Sequence, residues 1–113
     1  MLDRERILAQ LNTSRYAVTV VGETDSTNTD LKALALEGAA EGTTLIAETQ
    51  TGGRGRRGRT FASPEGGVYL STLLRPQKAV NPGLFTCLAA VAAARAIESL
   101  CDALVDIKWV NDL

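Results

Sequence analysis

The sequence predicts an α/β fold of the α+β kind, in which helices flank a mixed, largely antiparallel sheet. Segments rich in β-branched residues alternate with segments of helical spacing along 113 residues, of which 45% are hydrophobic. Two predicted strands, around residues 45 and 70, are separated by a loop instead of a helix, which favours antiparallel pairing between them. The length suits one globular unit, so we assign residues 1–113 to a single domain.

The first half of the chain contains a signal for each of four elements. They are, in order, a helix over 3–11, a strand over 16–21, a helix from Ser26 or Thr27 to Gly38, and a strand over 43–49. Hydroxyl side chains are preferred helix N-caps, and glycine is the preferred residue just after a helix. These residues therefore fix both ends of the second helix.

The second half is predicted to contain a strand over 67–74, a helix that begins at Asn81 and Pro82, and a strand over 103–110. Residues 84–94 are apolar almost all round, so we expect this helix to be buried on several sides. Eleven residues fall short of the ~20 that a bilayer requires. A core helix is therefore expected, and no membrane contact.

Composition excludes several classes of function. Twelve Lys and Arg residues against 13 Asp and Glu give no net field for nucleic acid or an anionic membrane. Histidine is absent, which excludes a Ser-His-Asp triad and a His-containing zinc site within this chain. Cys87 and Cys101 lack CxxC spacing and are expected to be small core residues, so no metal or redox site is predicted. The charged N-terminus is unlike a signal peptide, and we expect a cytoplasmic protein.

The segment 50–63 is a loop rich in glycine and charge, which we expect at the surface. Residues 53–58 satisfy the G-x-G-x-x-G pattern of dinucleotide-binding turns. That pattern should open a helix, but Ser63-Pro64 and a strand follow here. A dinucleotide-binding turn is therefore disfavoured.

The same loop contains four arginines alternating with glycines: Arg54, Arg56, Arg57 and Arg59. Guanidinium groups bind phosphate oxygens in bidentate fashion, and glycines let backbone amides approach a ligand closely. The loop is therefore expected to bind anionic oxygens, as in phosphoryl or adenylyl transfer. A solvated basic loop or an RNA-binding segment stays open as an alternative, although Phe61 is the one aromatic residue nearby.

Four motifs resemble those of the biotin–protein ligase family, over about residues 22–113. Residues 23–28 (ETDSTN) look like the family's DSTN segment, and 47–50 (AETQ) look like its AExQ. Residues 53–59 match its GRGRRGR, and 108–112 (KWVND) are similar to its KWPND. Because they occur together, in family order, they are far more specific than any one alone.

The resemblance implies a fold related to class II aminoacyl-tRNA synthetases, the biotin–lipoate ligase fold. It also implies a two-step reaction with ATP and Mg²⁺ as required partners. Biotin is first activated as biotinyl-5′-adenylate and is then transferred to a lysine of a biotin carboxyl carrier protein, such as that of acetyl-CoA carboxylase. Which carrier is modified, and whether the protein is a homodimer, stay open.

The resemblance also assigns roles to individual residues. Biotin would be bound by Ser26, Thr27, Asn28, Gln50, Gly53, Arg54 and Arg56. ATP or the adenylate would be bound by Arg54, Arg56, Arg57, Arg59, Phe61, Asn111 and Asp112, and Arg56 and Lys108 would be catalytic. The ureido ring of biotin carries two N–H donors and one C=O acceptor, which hydroxyl and amide side chains satisfy.

Each of these positions also has a purely local interpretation. Ser26 and Thr27 can be helix caps, and Gln50 an ordinary strand-end residue. Trp109 can be core packing, and Asn111-Asp112 a turn. Their joint occurrence favours the ligase.

The sequence departs from the family pattern in three places. Val110 stands where the family has a proline. The family's later lysine-glycine segment and C-terminal domain have no counterpart in these residues, so we expect a truncated catalytic domain that is inactive alone. About 20 residues precede the match, and we expect no DNA-binding domain.

Two alternatives to a biotin–protein ligase stay open. One is a lipoate–protein ligase, whose signature should contain a histidine, and the other is a noncatalytic module that binds RNA or another polyanion.

Overall fold

The computed structural model of the chain describes residues 2–11, 14–53, 60, 62–79 and 81–107. Its elements are, in order, α1 (Arg4–Gln10), β1 (Ala17–Thr24), α2 (Thr27–Leu36), β2 (Thr43–Gln50), β3 (Tyr69–Thr72) and α3 (Pro82–Leu100). The chain divides into two compact units, residues 1–75 and 76–113. The assignment of residues 1–113 to a single domain stays a prediction, and the two units are taken in turn.

The first unit contains a mixed three-stranded sheet of order β1-β2-β3. β1 and β2 are parallel, in a register that places Ala17 opposite Thr43 and Thr24 opposite Gln50. β2 and β3 are antiparallel, with Thr44 opposite Thr72. The mixed sheet is confirmed, as is antiparallel pairing of the strands that a loop connects. Because parallel neighbours require a crossover, α2 supplies the connection from β1 to β2.

Helix α2 begins and ends where its sequence predicts. Ser26 is the N-cap, and its side chain accepts a hydrogen bond from the backbone N–H of Thr29. Glu37 is the C-cap, and Gly38 follows it with a φ of 93°, the left-handed conformation that glycine adopts without strain. The helix packs against β2 and β3, where Leu31 is buried with Leu45.

Gly42 joins all three strands at the end of the sheet remote from the start of α2. Its backbone N–H donates to the Leu73 carbonyl over 2.8 Å, and its carbonyl accepts from the Ala17 N–H over 3.1 Å. Its φ is 90°, and a Cβ at this position would collide with the Arg15 backbone carbonyl. Glycine is therefore required here both by conformation and by space.

The second unit contains α3, which begins as predicted. Asn81 is the N-cap, its side chain accepts the Gly83 N–H over 2.9 Å, and Pro82 is the first helical residue. The predicted burial on several sides is wrong within the described residues, because Ala90 and Ala94 are the buried residues of this helix and most of its leucines are exposed. An apolar composition allows a helix to be buried, but burial also requires other segments that pack against the helix.

The length of α3 also differs from the expectation drawn from residues 84–94. The helix has 19 residues. Among the described residues it is the one helix long and apolar enough to cross a membrane, judged by length and composition alone, and the core helix of a soluble protein passes the same test. The 19-residue helix is therefore longer than the eleven-residue apolar run within it, and its length permits either role.

Two further expectations for this unit are wrong. Residues 103–107 form no strand, although 108–110 of the predicted strand lie outside the described residues. The Val105 N–H donates to the Glu98 side chain over 2.9 Å. In a strand it would instead pair with the backbone of a neighbouring strand. Cys87 is half-buried and Cys101 exposed, both as free thiols, so neither is a core residue.

Candidate functional site

The N-terminus of α2 lies beside the C-terminal end of β2. Because β1 and β2 are parallel, their C-terminal ends lie side by side, and the residues that follow the two strands also contact each other. The Thr51 N–H donates to the Thr24 carbonyl over 3.0 Å, and the Gly52 N–H donates to the Asp25 carbonyl over 2.6 Å. The two turns that leave the strands are therefore held together by backbone hydrogen bonds.

Ser26 and Thr27 are both buried, at 6% and 3% exposure. The Ser26 hydroxyl accepts the Thr29 N–H over 3.4 Å, so its interpretation as a helix cap is confirmed. Thr27 is the first helical residue, and its hydroxyl lies 2.8 Å from that of Ser71, where either oxygen can be the donor. Hydroxyl groups thus line the start of α2 from the helix and from β3.

Gln50 connects this helix start to the far side of the arginine-rich loop. Its side-chain Oε1 accepts the Thr27 N–H over 2.8 Å, and its Nε2 donates to the Ser63 hydroxyl over 3.2 Å. The Gln50 backbone N–H also donates to the Ser63 carbonyl over 3.1 Å. Both ends of the amide are bonded, so it is not an ordinary exposed strand-end residue.

The entrance to the arginine-rich loop is held by Asp25. Its carboxylate accepts a hydrogen bond from the Thr51 hydroxyl over 3.1 Å. A Cβ on Gly52 would collide with that carboxylate, so the Asp25 side chain would have to shift to admit a larger residue. Gly53, the next residue, is buried. In the first described part of the predicted surface loop, Thr51 is therefore exposed and Gly53 is buried.

The structure thus brings together Ser26, Thr27, Gln50 and, at the start of the loop, Gly53. Asn28 is exposed on the first turn of α2, unlike its two buried neighbours. The remaining predicted residues lie outside the described part of the chain: Arg54, Arg56, Arg57, Arg59, Phe61, Lys108, Asn111 and Asp112.

Sequence reasoning did not identify Ser63 and Ser71 as members of this cluster. Ser63 precedes a proline at the end of the predicted loop, yet it is only 6% exposed. Ser71 lies opposite Leu45 in the register of β2 and β3. A polar residue that shares a strand face with a buried leucine is a signal that could have marked it.

The arrangement suits a small ligand that both donates and accepts hydrogen bonds. Serine and threonine hydroxyls act in either role, and the Gln50 amide presents a second proton and a second lone pair beyond those already bonded. The N-terminus of α2 also contributes a positive electrostatic potential. Neutral polar groups and negatively charged oxygens are both favoured here.

The fold is that of a ligase family. The chain belongs to the Biotin/lipoate A/B protein ligase family, whose model matches residues 20–113. The family expected from the four motifs is therefore confirmed.

Curated relatives agree with this membership. The chain is 44% identical over 91 residues to the bifunctional ligase/repressor BirA of Bacillus spizizenii, covering 78% of this chain and 28% of the relative. It is 39% identical to the biotin–[acetyl-CoA-carboxylase] ligase of Mycobacterium tuberculosis, covering 83% and 38%. The corresponding ligase of Paracoccus denitrificans is 36% identical, with 83% and 40% covered. The chain spans less than half the length of each.

Solved structures confirm the expected fold. A biotin protein ligase from Aquifex aeolicus, in complex with biotin and ATP, has a TM-score of 0.75 and 35% identity, covering 83% of this chain and 39% of that one. The Leishmania major biotin protein ligase, in complex with biotinyl-5-AMP, has a TM-score of 0.61 and 27% identity, covering 74% and 34%.

Proposed function

We propose that this chain belongs to an ATP-dependent biotin–protein ligase that transfers biotin to a lysine of a biotin carboxyl carrier protein, such as that of acetyl-CoA carboxylase. The observation that carries the proposal is the contact between the Gln50 side chain and the Thr27 N–H at the start of α2. Support also comes from relatives named as biotin ligases and from a structural neighbour that binds biotin and ATP.

The proposed reaction has two steps. A carboxylate oxygen of biotin attacks the α-phosphorus of ATP, the new O–P bond forms, and pyrophosphate leaves as the bond to the β-phosphate breaks. The lysine amine then attacks the acyl carbon, a C–N bond forms, and AMP leaves while the amine loses a proton to water. Mg²⁺ is proposed to accompany ATP and to offset charge on its phosphates.

The described residues are proposed to recognise the biotin ring. Ser26, Thr27 and Gln50 offer hydroxyl and amide groups for a ureido ring; Ser26 and Thr27 are buried, and Gln50 is half-buried. Gly53 is proposed to present its backbone at the edge of this site. Asn28 is retained in the proposed biotin set, although its side chain is exposed.

Charge stabilisation is proposed to come from the arginine-rich loop. Guanidinium groups there would meet the carboxylate and the phosphate, where negative charge develops during adenylate formation. Arg56 and Lys108 are the proposed catalytic residues. The proposed nucleotide-binding set is Arg54, Arg56, Arg57, Arg59, Phe61, Asn111 and Asp112.

The test is turnover by the complete gene product that contains this chain. We expect release of pyrophosphate that requires biotin and Mg²⁺ together with ATP, and covalent biotin on a carrier lysine detected by mass spectrometry. Lipoate in place of biotin, and a short RNA added by isothermal titration, are the comparison arms. Lipoate-dependent turnover would move the protein to the other branch of the family, and RNA binding without turnover would make it a noncatalytic module.

Residues 1–113 by themselves are proposed to be inactive and located in the cytoplasm. The chain spans 28–40% of its curated relatives, and several leucines of α3 are exposed, including Leu84 and Leu88. Exposed apolar surface of this kind promotes association. Biotin-dependent adenylate formation by purified, monomeric residues 1–113 would contradict the proposed inactivity.

A further inference from the structure

Ser63 and Gln50 form an isolated antiparallel bridge that closes the arginine-rich loop. Two different hydrogen bonds connect them. The backbone bond joins the Gln50 N–H to the Ser63 carbonyl over 3.1 Å, and the side-chain bond joins Gln50 Nε2 to the Ser63 hydroxyl over 3.2 Å. Removal of the hydroxyl therefore leaves the backbone bond that closes the loop.

The side-chain bond bears on the orientation of the Gln50 amide. An amide can rotate by half a turn, which exchanges its acceptor oxygen with its donor nitrogen. At one end the Thr27 N–H requires the oxygen, and at the other the Ser63 hydroxyl accepts from the nitrogen. The reversed orientation would place the amide protons against the Thr27 N–H, a repulsive pair of donors. The Thr27 N–H therefore sets the orientation, and the bond to the Ser63 hydroxyl, which can accept or donate, holds the amide in that position.

We propose that Ser63 is a positioning residue, which acts through the Gln50 amide on the Thr27 end of the ligand site. Ser63 is 6% exposed, so little water reaches its hydroxyl to replace the bond. The choice of biotin as the test ligand rests on the proposed function. The link from Ser63 through Gln50 to Thr27 is independent of that function, because it exists in the free protein.

The first measurement is amide hydrogen exchange at Thr27 in the ligand-free, complete gene product. Ser63→Ala is expected to speed exchange of the Thr27 N–H by roughly two- to tenfold, the effect of losing about one hydrogen bond. The Thr29 N–H, which is bonded to Ser26 instead, is the internal control and should not change. Ser99→Ala is the matched control variant, because Ser99 is an exposed serine on α3 whose hydroxyl bonds a helix carbonyl.

A double-mutant cycle separates positioning from general loosening. In a Gln50→Ala background the acceptor of the Thr27 N–H is already absent, so Ser63→Ala should add nothing there. If Ser63→Ala instead speeds exchange equally in both backgrounds, or at Thr27 and Thr29 alike, Ser63 does not act through Gln50. Ser63→Cys, which keeps nearly the same size but has a weak acceptor, gives the same comparison if the alanine variant does not fold.

Biotin titration of the same variants tests the consequence for the ligand. Ser63→Ala is expected to raise the biotin dissociation constant by roughly two- to tenfold in the parent, and not in the Gln50→Ala background. An unchanged biotin affinity, with faster exchange at Thr27, overturns the positioning role. If the parent does not bind biotin, the proposed function fails, and hydrogen exchange at Thr27 alone decides whether the link from Ser63 exists.

Discussion

The Thr27 N–H donates to Gln50 Oε1 over 2.8 Å, which joins the first residue of α2 to the last residue of β2 across 23 positions of sequence. The first N–H groups of a helix have no partner within the helix. Gln50 satisfies one of them with a side chain and Ser26 satisfies another. The start of α2 is therefore tied both to its own cap and to the end of the central strand.

Loss of these polar groups should weaken biotin binding. Gln50→Ala and Ser26→Ala are each expected to cost about 1–3 kcal/mol of binding free energy in a buried site, up to about a hundredfold in affinity. Isothermal titration of the complete gene product measures this, with the exposed Gln77→Ala as the control. Biotin affinity that stays at the parental value in both variants would remove these residues from the site.

Replacement of Arg56 should affect both the formation and the retention of the adenylate. A guanidinium that pairs with the phosphate is expected from the loop sequence, and Arg56→Ala should then slow adenylate formation and speed its release. Stopped-flow measurement of adenylate dissociation checks this. Arg95→Ala, an exposed position on α3, is the control and should behave as the parent. Release no faster than in the parent would exclude a role in retention.

Gly42 and Gly38 form a matched pair for the stability of the first unit. Both have positive φ, but a Cβ meets the Arg15 carbonyl at Gly42 and nothing within 4 Å at Gly38. Gly38→Ala should cost about 1 kcal/mol from the backbone conformation, and Gly42→Ala about 3 kcal/mol or more because a backbone collision is added. Denaturant unfolding of the complete gene product measures both. Equal losses would mean that the Arg15 segment moves aside freely.

Arg75 should stabilise the end of α2. Its guanidinium donates from Nε to the Ala39 carbonyl and from a terminal nitrogen to the Ala35 carbonyl, each over 2.9 Å. Since the side chain is exposed, Arg75→Ala is expected to cost only about 1 kcal/mol of unfolding free energy. Arg75→Lys should recover part of this at most, because an ammonium cannot span both carbonyls in the same geometry. Thermal unfolding of the variants checks this, with Lys78→Ala at another exposed position as the control. If Lys78→Ala lowers the stability as much as Arg75→Ala does, Arg75 does not cap the helix.

Local signals in the sequence were sufficient for most elements of the first unit. Ser26 and Gly38 set the ends of α2 because caps depend on residues within one turn of the helix. The pairing of β2 with β3 followed from the loop between them. The exposure of α3 and the lack of a strand over 103–107 could not be predicted in this way, because both depend on what other segments present to them.

The candidate site was predictable where a motif marks it. Ser26, Thr27 and Gln50 belong to two short motifs, and the structure brings them together. Ser63 and Ser71 belong to none, and Ser71 reaches Thr27 across 44 positions of sequence. Contacts of this range depend on strand register, which no residue types in the neighbourhood encode by themselves.

The parallel pairing of β1 and β2 has a consequence for how the site comes into being. Parallel strands cannot pair until the intervening helix has crossed over, so this contact is non-local and forms slowly compared with a hairpin. The hydrogen bonds from Thr51 to Thr24, from Gly52 to Asp25 and from Thr27 to Gln50 join segments that this pairing brings together. A ligand at this position would bind only the folded sheet and would stabilise it in proportion to the logarithm of the ligand concentration.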